Sequence, residues 1–302
     1  MKNSIIIVGG TGAESKGLNS IEVISSNPFA KSQFQIPTFP KQISDCHMFM
    51  RDGILMVCGG RYRNGALNET CFQLKNGYWQ IYDTIKITGL IKSHETVMIR
   101  NTIYTFGADE KNKEIRYLPA NSKNWIVCKT EIPSFFIQGC AVAIKSKEEI
   151  WLIGGVGELS KKILSFDLQT HTFKELPMKL NIGRSCHRCT VTKIGSSEVI
   201  LVTGGIVFEG SYVYDNSVEI INIQTGSVTL SSPMNIKRAC HGIGILNIKN
   251  QPRISVFGGV NDDSKTRREN SIEIFDKETL KWELVHDITM NEARYEFGYL
   301  TM

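Results

Sequence analysis

Ile5-Ile6-Ile7-Val8-Gly9-Gly10 is an apolar run that ends at two glycines, and versions of it recur along the whole chain. The later versions end at Gly59-Gly60, Gly107-Ala108, Gly154-Gly155, Gly204-Gly205 and Gly258-Gly259. Successive first glycines are 50, 48, 47, 50 and 54 residues apart. Six copies at a nearly constant period are the sequence signature of a repeat architecture.

The residues around each glycine pair have the pattern of short β-strands. Alternating and β-branched apolar residues fill the runs, and turn pairs such as Asp52-Gly53 and Asn76-Gly77 separate them. The third run has a sequence of its own in three repeats, namely Asn19-Ser20-Ile21-Glu22-Val23, Asn216-Ser217-Val218-Glu219-Ile220 and Asn270-Ser271-Ile272-Glu273-Ile274. No segment keeps a helical period between caps. Four short strands in each of six repeats predict an all-β, six-bladed β-propeller with antiparallel strands.

The repeat resembles the kelch repeat over the whole chain. The resemblance rests on the glycine pair, on an aromatic residue that ends the third strand, as in Phe166 and Phe275, and on an aromatic residue in the fourth strand. The fourth-strand aromatics are Trp79, Trp125, Phe173 and Trp282. Three repeats depart from the pattern: Gly107-Ala108 replaces the glycine pair, Val228 replaces the fourth-strand aromatic, and Phe34 takes that place in the first repeat.

The two ends of the chain are expected to share one blade. The chain begins on a second strand, and residues 291–302 resemble the openings of first strands elsewhere, so they are expected to pair inside blade one and close the ring. One domain, 1–302, then contains blade one (1–37 with 291–302), blade two (about 43–83), blade three (about 92–129), blade four (about 137–177), blade five (about 184–231) and blade six (about 238–286).

Composition limits the possible partners and cellular compartments of the protein. The chain has a formal net charge of +5, is 41% hydrophobic and is 22% charged, which is ordinary for a globular protein and does not favour nucleic acid as a partner. No apolar run reaches the roughly 18 residues of a membrane span, and the first run is too short for a secretory signal. The eight cysteines lie mostly inside strand-like runs, which predicts packed thiols in a reducing, cytoplasmic setting.

Three motifs invite a chemical interpretation and are better explained by the repeat. Gly9-Gly10-Thr11-Gly12 lacks the following helix that a dinucleotide site needs. Cys186 and Cys189 have Cys-x-x-Cys spacing, but residues three apart on a strand point to opposite faces. The recurring pairs Cys46-His47, Cys186-His187 and Cys240-His241 lack a recurring carboxylate to orient the imidazoles. We therefore predict no metal, no cofactor and no catalytic residues, and hence no enzyme.

Arginines recur where a partner would be expected to bind. Arg184, Arg238 and Arg294 occupy the same position in the Asn-x-x-Arg opening of three repeats, and kelch domains that bind acidic peptides often place arginines there at the ligand mouth. Because arginine pairs with carboxylates through two hydrogen bonds, such a cluster suits an acidic segment. The alternative is that Asn-x-x-Arg forms a structural bond inside each repeat.

The loops after the glycine pairs supply further candidates. The loop after Gly205 carries Phe208, Tyr212 and Tyr214, and aromatic residues beside arginines are typical of binding hot spots. Basic residues follow two other glycine pairs, namely Lys265, Arg267, Arg268, Arg61 and Arg63.

The resemblance implies a non-enzymatic adaptor that binds a protein partner or acidic peptide segment on its loop face. Many kelch domains are substrate receptors of cullin-type ubiquitin ligases and are joined to BTB and BACK domains. Neither domain is expected within these 302 residues, which predicts an excised receptor domain or a stand-alone kelch protein. The alternative function is actin binding in the cytoskeleton, and a kelch-fold enzyme is the less favoured third.

Overall fold

The structure is a computed structural model that describes residues 4–26, 36–82, 95–107, 113–133, 137–208, 210–262 and 268–302. In these ranges the regular structure is almost entirely β-strand, with two short 3-10 helices at Ala13–Ser15 and Gly157–Leu159. The chain divides into two compact units, one made of Met1–Thr88 with Met234–Met302 and the other of Gly89–Pro233. We refer to them as unit 1 and unit 2.

The N-terminal part of unit 1 contains eight strands. They are β1 (Ile5–Val8), β2 (Ile21–Ile24), β3 (Ile43–Ser44), β4 (His47–Arg51), β5 (Ile54–Cys58), β6 (Arg61–Tyr62), β7 (Cys71–Lys75) and β8 (Tyr78–Ile81).

Unit 2 contains the next thirteen strands. They are β9 (Glu95–Ile99), β10 (Thr102–Phe106), β11 (Glu114–Leu118), β12 (Ile126–Glu131), β13 (Cys140–Ile144), β14 (Glu149–Ile153), β15 (Ile163–Asp167), β16 (Phe173–Glu175), β17 (Arg184–Ser185), β18 (Arg188–Ile194), β19 (Ser197–Phe208), β20 (Tyr212–Asn222) and β21 (Val228–Ser231).

The C-terminal part of unit 1 completes the set with five strands. They are β22 (Gly242–Ile248), β23 (Gln251–Phe257), β24 (Ile272–Asp276), β25 (Lys281–Val285) and β26 (Gly298–Thr301).

In the described residues the strands form six main antiparallel sheets, which are the six blades of a β-propeller, and β3 pairs with β6 in a separate two-stranded sheet. Unit 1 holds blade one (β2-β1-β26), blade two (β4-β5-β7-β8) and blade six (β22-β23-β24-β25). Unit 2 holds blade three (β9 to β12), blade four (β13 to β16) and blade five (β18 to β21, with β17). The sequence prediction of an all-β, six-bladed kelch-type fold is confirmed.

The C-terminal strand belongs to blade one, as predicted. In the β1–β26 pairing Ile5 lies opposite Thr301 and Val8 opposite Gly298. Both edges of β1 are therefore paired, because β2 takes the other side. An apolar strand that is buried over its full length, as β1 is, gains these main-chain partners only when the two ends of the chain meet.

The glycine pairs have the architectural role expected of them. Gly9 and Gly10 adopt φ values of +61° and +99°, a region that favours glycine. A Cβ atom on Gly9 would lie 2.2 Å from the Ile43 carbonyl oxygen of blade two, and one on Gly10 would lie 2.9 Å from the Tyr295 carbonyl oxygen. The pairs thus allow neighbouring first strands to approach the end of each second strand.

Apolar side chains between neighbouring blades form the core inside each unit. In unit 1, Ile6 and Val8 pack with Met48 and Val57, which joins blades one and two. On the other side of blade one, Ile5 packs with Phe257 of blade six. In unit 2, two similar clusters join blade three to four and blade four to five. Blades one and four therefore bury both faces within their own units, which fits the nearly continuous apolar character of their second strands.

The expectation that the cysteines are packed thiols is wrong for two pairs, which form disulfides. Cys58 and Cys71 lie directly opposite one another on β5 and β7, with Cα atoms 4.1 Å apart. Cys140 on β13 is joined to Cys189 on β18, with Cα atoms 6.0 Å apart. Strand pairing and blade stacking bring these residues together, which the position of each cysteine inside its own strand does not reveal. Cys46, Cys128, Cys186 and Cys240 are not part of these disulfides.

Several residues singled out from the sequence lie outside the described residues. They are Phe34, Ala108, Lys265 and Arg267. Within the described ranges, no helix has the length and apolar character needed to cross a membrane.

Candidate functional site

The three repeated arginines are buried. Relative exposure is 1% for Arg184, 0% for Arg238 and 1% for Arg294. A guanidinium withdrawn from water in this way requires paired charge and hydrogen-bond acceptors around it. Each blade supplies both from its own strands.

Blade six shows the arrangement most fully. Arg238 Nη1 donates to the carbonyl oxygen of Gly258 at 2.9 Å and to that of Ser271 at 3.2 Å. Its Nη2 donates to the Ser271 hydroxyl and to the Glu273 carboxylate at 2.8 and 3.1 Å. The other carboxylate oxygen of Glu273 accepts the main-chain N–H of Asn235 at 2.6 Å. Burial lowers the pKa of Arg238, and the charge of Glu273 opposes that shift.

Blades five and one repeat the arrangement, which we call the arginine joint. In blade five, Arg184 donates to the Gly204 carbonyl at 2.7 Å and to Glu219 at 3.0 Å. In blade one, Arg294 donates to the Gly9 carbonyl at 2.8 Å and lies 3.6 Å from the Glu22 carboxylate. The joint thus connects the entry to the first strand, the end of the second and the start of the third.

The prediction that these arginines line a ligand mouth is therefore corrected. Their guanidinium groups are enclosed and donate to acceptors of their own blades, and the alternative of a bond inside each repeat describes them. The sequence did contain the signal: the Asn-x-x-Arg openings and the Asn-Ser-x-Glu third strands occur in the same three blades. The acids Glu22, Glu219 and Glu273 are the partners that sequence reasoning did not assign.

Two other predicted arginines of unit 1, Arg61 and Arg63, line an open cleft. Its volume is about 220 Å³, and it lies between the loops of blades one and two. We call it the unit 1 cleft. Its lining comprises Thr11, Ser15, Gly17, Gln42, Ile43, Ser44, Arg61, Tyr62, Arg63, Gly65, Tyr295 and Glu296.

Arg61 is held in place by two acids. Its Nη2 lies 3.2 Å from a carboxylate oxygen of Asp45 and 3.5 Å from one of Glu296. Asp45 and Glu296 are themselves linked, since the Asp45 N–H donates to the Glu296 carbonyl at 2.7 Å. Both have left-handed backbone, with φ of 54°. The negative charge at this end of the cleft is thus already paired with Arg61.

Arg63 and Arg268 provide positive charge that faces outward or stacks on the cleft wall. Arg63 is exposed and makes no ion pair with any described residue. The Arg268 guanidinium carbon lies 4.5 Å from the centroid of the Tyr295 ring, a cation–π contact. Burial raises the pKa of the Tyr295 hydroxyl, so this side chain is neutral at pH 7. The structure thus brings Arg61, Arg63 and Tyr295 to one cleft, with Arg268 against its wall.

The predicted aromatic loop is a hairpin of unit 2. Phe208 and Tyr212 lie opposite one another at the tip of the β19–β20 hairpin, with ring centroids 5.3 Å apart. They are 66% and 76% exposed, whereas Tyr214 is half-buried. The hairpin extends beyond Gly205, and β17 pairs along that extension through Arg184 and Ser185. It therefore presents two aromatic rings to solvent on a braced stem.

Residues of the recurring Cys-His pairs are buried in the fold, as His187 and Cys46 show. The His187 ring is fully buried, and its Nε2 donates to the carbonyl oxygen of Ile153 at 3.0 Å. Burial, with the charges of Arg184 and Arg188, holds the pKa of His187 well below its usual range. Burial also raises the pKa of the Cys46 thiol to about 12. Among the residues that the structure describes, no group of three or more His, Cys, Asp or Glu side chains is placed to hold a metal ion.

A curated relative supports the repeat assignment. No family profile matches the chain. Over 187 residues the chain is 29% identical to a RING finger domain and kelch repeat-containing protein of Dictyostelium discoideum. The match covers 62% of this chain and 18% of the relative, so the chain spans less than a fifth of that protein. The resemblance to kelch-repeat proteins is confirmed.

A solved structure supports the fold. The structure of YjhT superposes with a TM-score of 0.68 over 95% of each chain, at 14% sequence identity. At this level of identity the similarity establishes the propeller fold and nothing of its chemistry.

Proposed function

We propose that the protein is an interaction module whose unit 1 cleft binds an acidic segment of a protein partner. The observation that carries this proposal is the position of Arg63. It is an exposed guanidinium at the cleft, without an ion pair among the described residues, next to an arginine whose charge is already balanced. An arginine in this state gains a bidentate carboxylate partner without breaking an internal one.

The surroundings of Arg63 favour an anionic peptide. Arg268 on Tyr295 and Lys41, whose Nζ lies 4.6 Å from the centroid of the Tyr62 ring, add positive charge on two aromatic walls. Aromatic and arginine side chains together are characteristic of hot spots in protein interfaces. The exposed pair Phe208 and Tyr212 is a separate candidate contact within unit 2.

We further propose that the bound partner is presented to a ubiquitin ligase. The support is the relative in which kelch repeats share one chain with a RING finger domain. Cullin-type assembly is the form of this proposal that the kelch resemblance suggests.

The test is a charge reversal, Arg63→Glu, measured by fluorescence anisotropy against a pool of short peptides rich in Glu and Asp. We expect binding to weaken roughly tenfold or more, because an attractive contact becomes a repulsive one. Lys75→Glu is the matched control: Lys75 is an exposed residue of blade two at the β7–β8 turn, at the opposite end of the sheet. Unchanged binding by Arg63→Glu, or an equal loss in Lys75→Glu, would overturn the proposal.

A further inference from the structure

The unit 1 cleft is rich in hydrogen-bond donors that have no partner. The side chains of Ser15, Gln42 and Ser44 line it and make no hydrogen bond with any described residue, and Arg63 makes none either. A hydroxyl group, an amide and a guanidinium placed together offer more donors than one carboxylate can accept.

The carboxylates at the cleft already have a cationic partner. The Glu296 carboxylate and the neighbouring Asp45 carboxylate are both directed at Arg61. The Tyr62 hydroxyl donates to the Asn68 side-chain oxygen at 2.8 Å. An incoming anion therefore meets the exposed guanidinium of Arg63 and the donors of Ser15 and Gln42, and the nearby carboxylates are held by Arg61.

The loop of residues 11–17 is shaped to keep Ser15 in place. Thr11 is bridged to Gly17 on one side and to Tyr295 on the other. Gly12 N–H donates to the Lys16 carbonyl at 2.8 Å, so the loop is closed on itself. Ser15 sits in that closed loop with φ of 57°. Donors held in advance lose little conformational freedom on binding.

We propose that the acidic group recognised in this cleft is a phosphorylated serine or threonine side chain of the partner protein. This inference rests on the proposed function and specifies its ligand. A phosphate monoester carries a charge near −2 and three acceptor oxygens, whereas a carboxylate carries −1 and two oxygens. Arg63 takes two of those oxygens, and the hydroxyl and amide donors of Ser15 and Gln42 take the third. The cleft volume of about 220 Å³ suits one such side chain.

The experiment compares three peptide pools that differ only in their central residue: phosphoserine, glutamate or serine. Wild type is expected to bind the phosphoserine pool at least about tenfold more tightly than the glutamate pool, and Arg63→Glu is expected to abolish the difference. Ser15→Ala and Gln42→Ala should each weaken phosphoserine binding by roughly threefold to tenfold, the effect of one hydrogen bond, and leave glutamate binding within about twofold.

Each outcome decides something. Equal binding of the phosphoserine and glutamate pools would overturn the inference and leave the proposed function standing. Absence of binding by both pools would overturn both. Stronger binding to vesicles that contain a phosphoinositide than to the phosphoserine pool would overturn the peptide as the source of the phosphate. Lys75 is exposed at the other end of blade two, so the control variant Lys75→Glu should bind every pool as tightly as wild type does.

Discussion

Blades six and two solve the same structural problem with different chemistry. In blade six, Arg238 bonds the carbonyls of Gly258 and Ser271 and is neutralised by Glu273. In blade two the amide of Asn68 bonds the matching carbonyls of Gly59 and Thr70, at 2.8 and 3.0 Å. The place of the arginine is taken by Ile43 and that of the glutamate by Phe72.

The match between the two blades follows from their main-chain bonds. The carbonyl oxygens of Ile43 and Arg294 both accept the N–H of the second glycine of the preceding blade, at 2.7 and 2.8 Å. Phe72 lies opposite Val57 in register, just as Glu273 lies opposite Val256. Ile43 and Phe72 are both buried in one apolar cluster. A blade therefore needs its glycine carbonyls bonded and the space behind them filled, and it does not need a charge.

The two blades indicate how much the buried ion pair contributes to stability. A buried ion pair and a well-packed apolar pair of similar volume are often about equal in stability, whereas half of an ion pair is strongly destabilising. Blade two shows the apolar solution and blade six the ionic one, inside the same unit. Four predictions follow, from the largest expected effect to the smallest.

Deletion of residues 292–302 should remove most of the free energy of unfolding. The deletion takes away β26, which pairs with β1 from Ile5 to Val8, and with it Arg294 of the arginine joint. Total stabilities of about 5–15 kcal/mol leave little after such a loss. Thermal melting followed by circular dichroism is the measurement, and an unchanged melting temperature would refute the role of the C-terminal strand.

Arg238→Ala should lower the free energy of unfolding by about 3–5 kcal/mol, because Glu273 is then left buried without its counter-charge. Urea denaturation measures the loss. The matched control is Arg61→Ala, since Arg61 also pairs with two acids but is 28% exposed. A half-exposed pair contributes at most about 1 kcal/mol, so the two arginines should separate clearly.

Placing the apolar and amide residues of blade two at the matching positions of blade six should restore part of the free energy of unfolding that Arg238→Ala loses. Residue 269 corresponds to Asn68, because the N–H groups of both donate to the second glycine carbonyl of their blade, at 2.9 and 2.8 Å. The variant Arg238→Ile, Glu273→Phe, Glu269→Asn should therefore regain at least half of what Arg238→Ala loses. Urea denaturation compares the two, and a triple variant no more stable than Arg238→Ala would show that the joints are not equivalent.

Asn68→Ala should cost about 1–3 kcal/mol, because the carbonyl oxygens of Gly59 and Thr70 lose their donor inside the protein. Asn68 is 1% exposed, so water does not readily replace the amide. Asn64→Ala, in the exposed part of the same loop, is the control and should change stability by less than about 0.5 kcal/mol. If Asn68→Ala also lowered the free energy of unfolding by less than about 0.5 kcal/mol, Asn68 would not be the blade-two counterpart of Arg238.

The fold could be predicted because its signal is repeated. Glycine pairs at a period near 50 and apolar runs before them fix the number of blades, and the homology of residues 291–302 to other first strands locates the closing strand. The site was predicted only in part. An arginine has the same letter whether buried or exposed, so Arg63 and Arg238 carry equal weight in a sequence, although only Arg63 is exposed.

The remaining errors have the same cause, which is contact between distant parts of the chain. The Cys140–Cys189 disulfide links strands of two blades, 49 residues apart. Asn68 replaces an arginine from a different position in its repeat, so no alignment of the repeats reveals it. The cleft assembles residues 11–17, 42–44, 61–65 and 295–296, which come together only when the ends of the chain meet.

The most direct test of this account is a side-by-side urea denaturation of Arg238→Glu and Arg63→Glu. The account assigns structure to the first arginine and binding to the second. We predict that Arg238→Glu loses at least about 3 kcal/mol, since two carboxylates then face each other in the joint, whereas Arg63→Glu stays within about 0.5 kcal/mol of wild type. Equal stability of the two variants would contradict a structural role for the buried Arg238 and a binding role for the exposed Arg63.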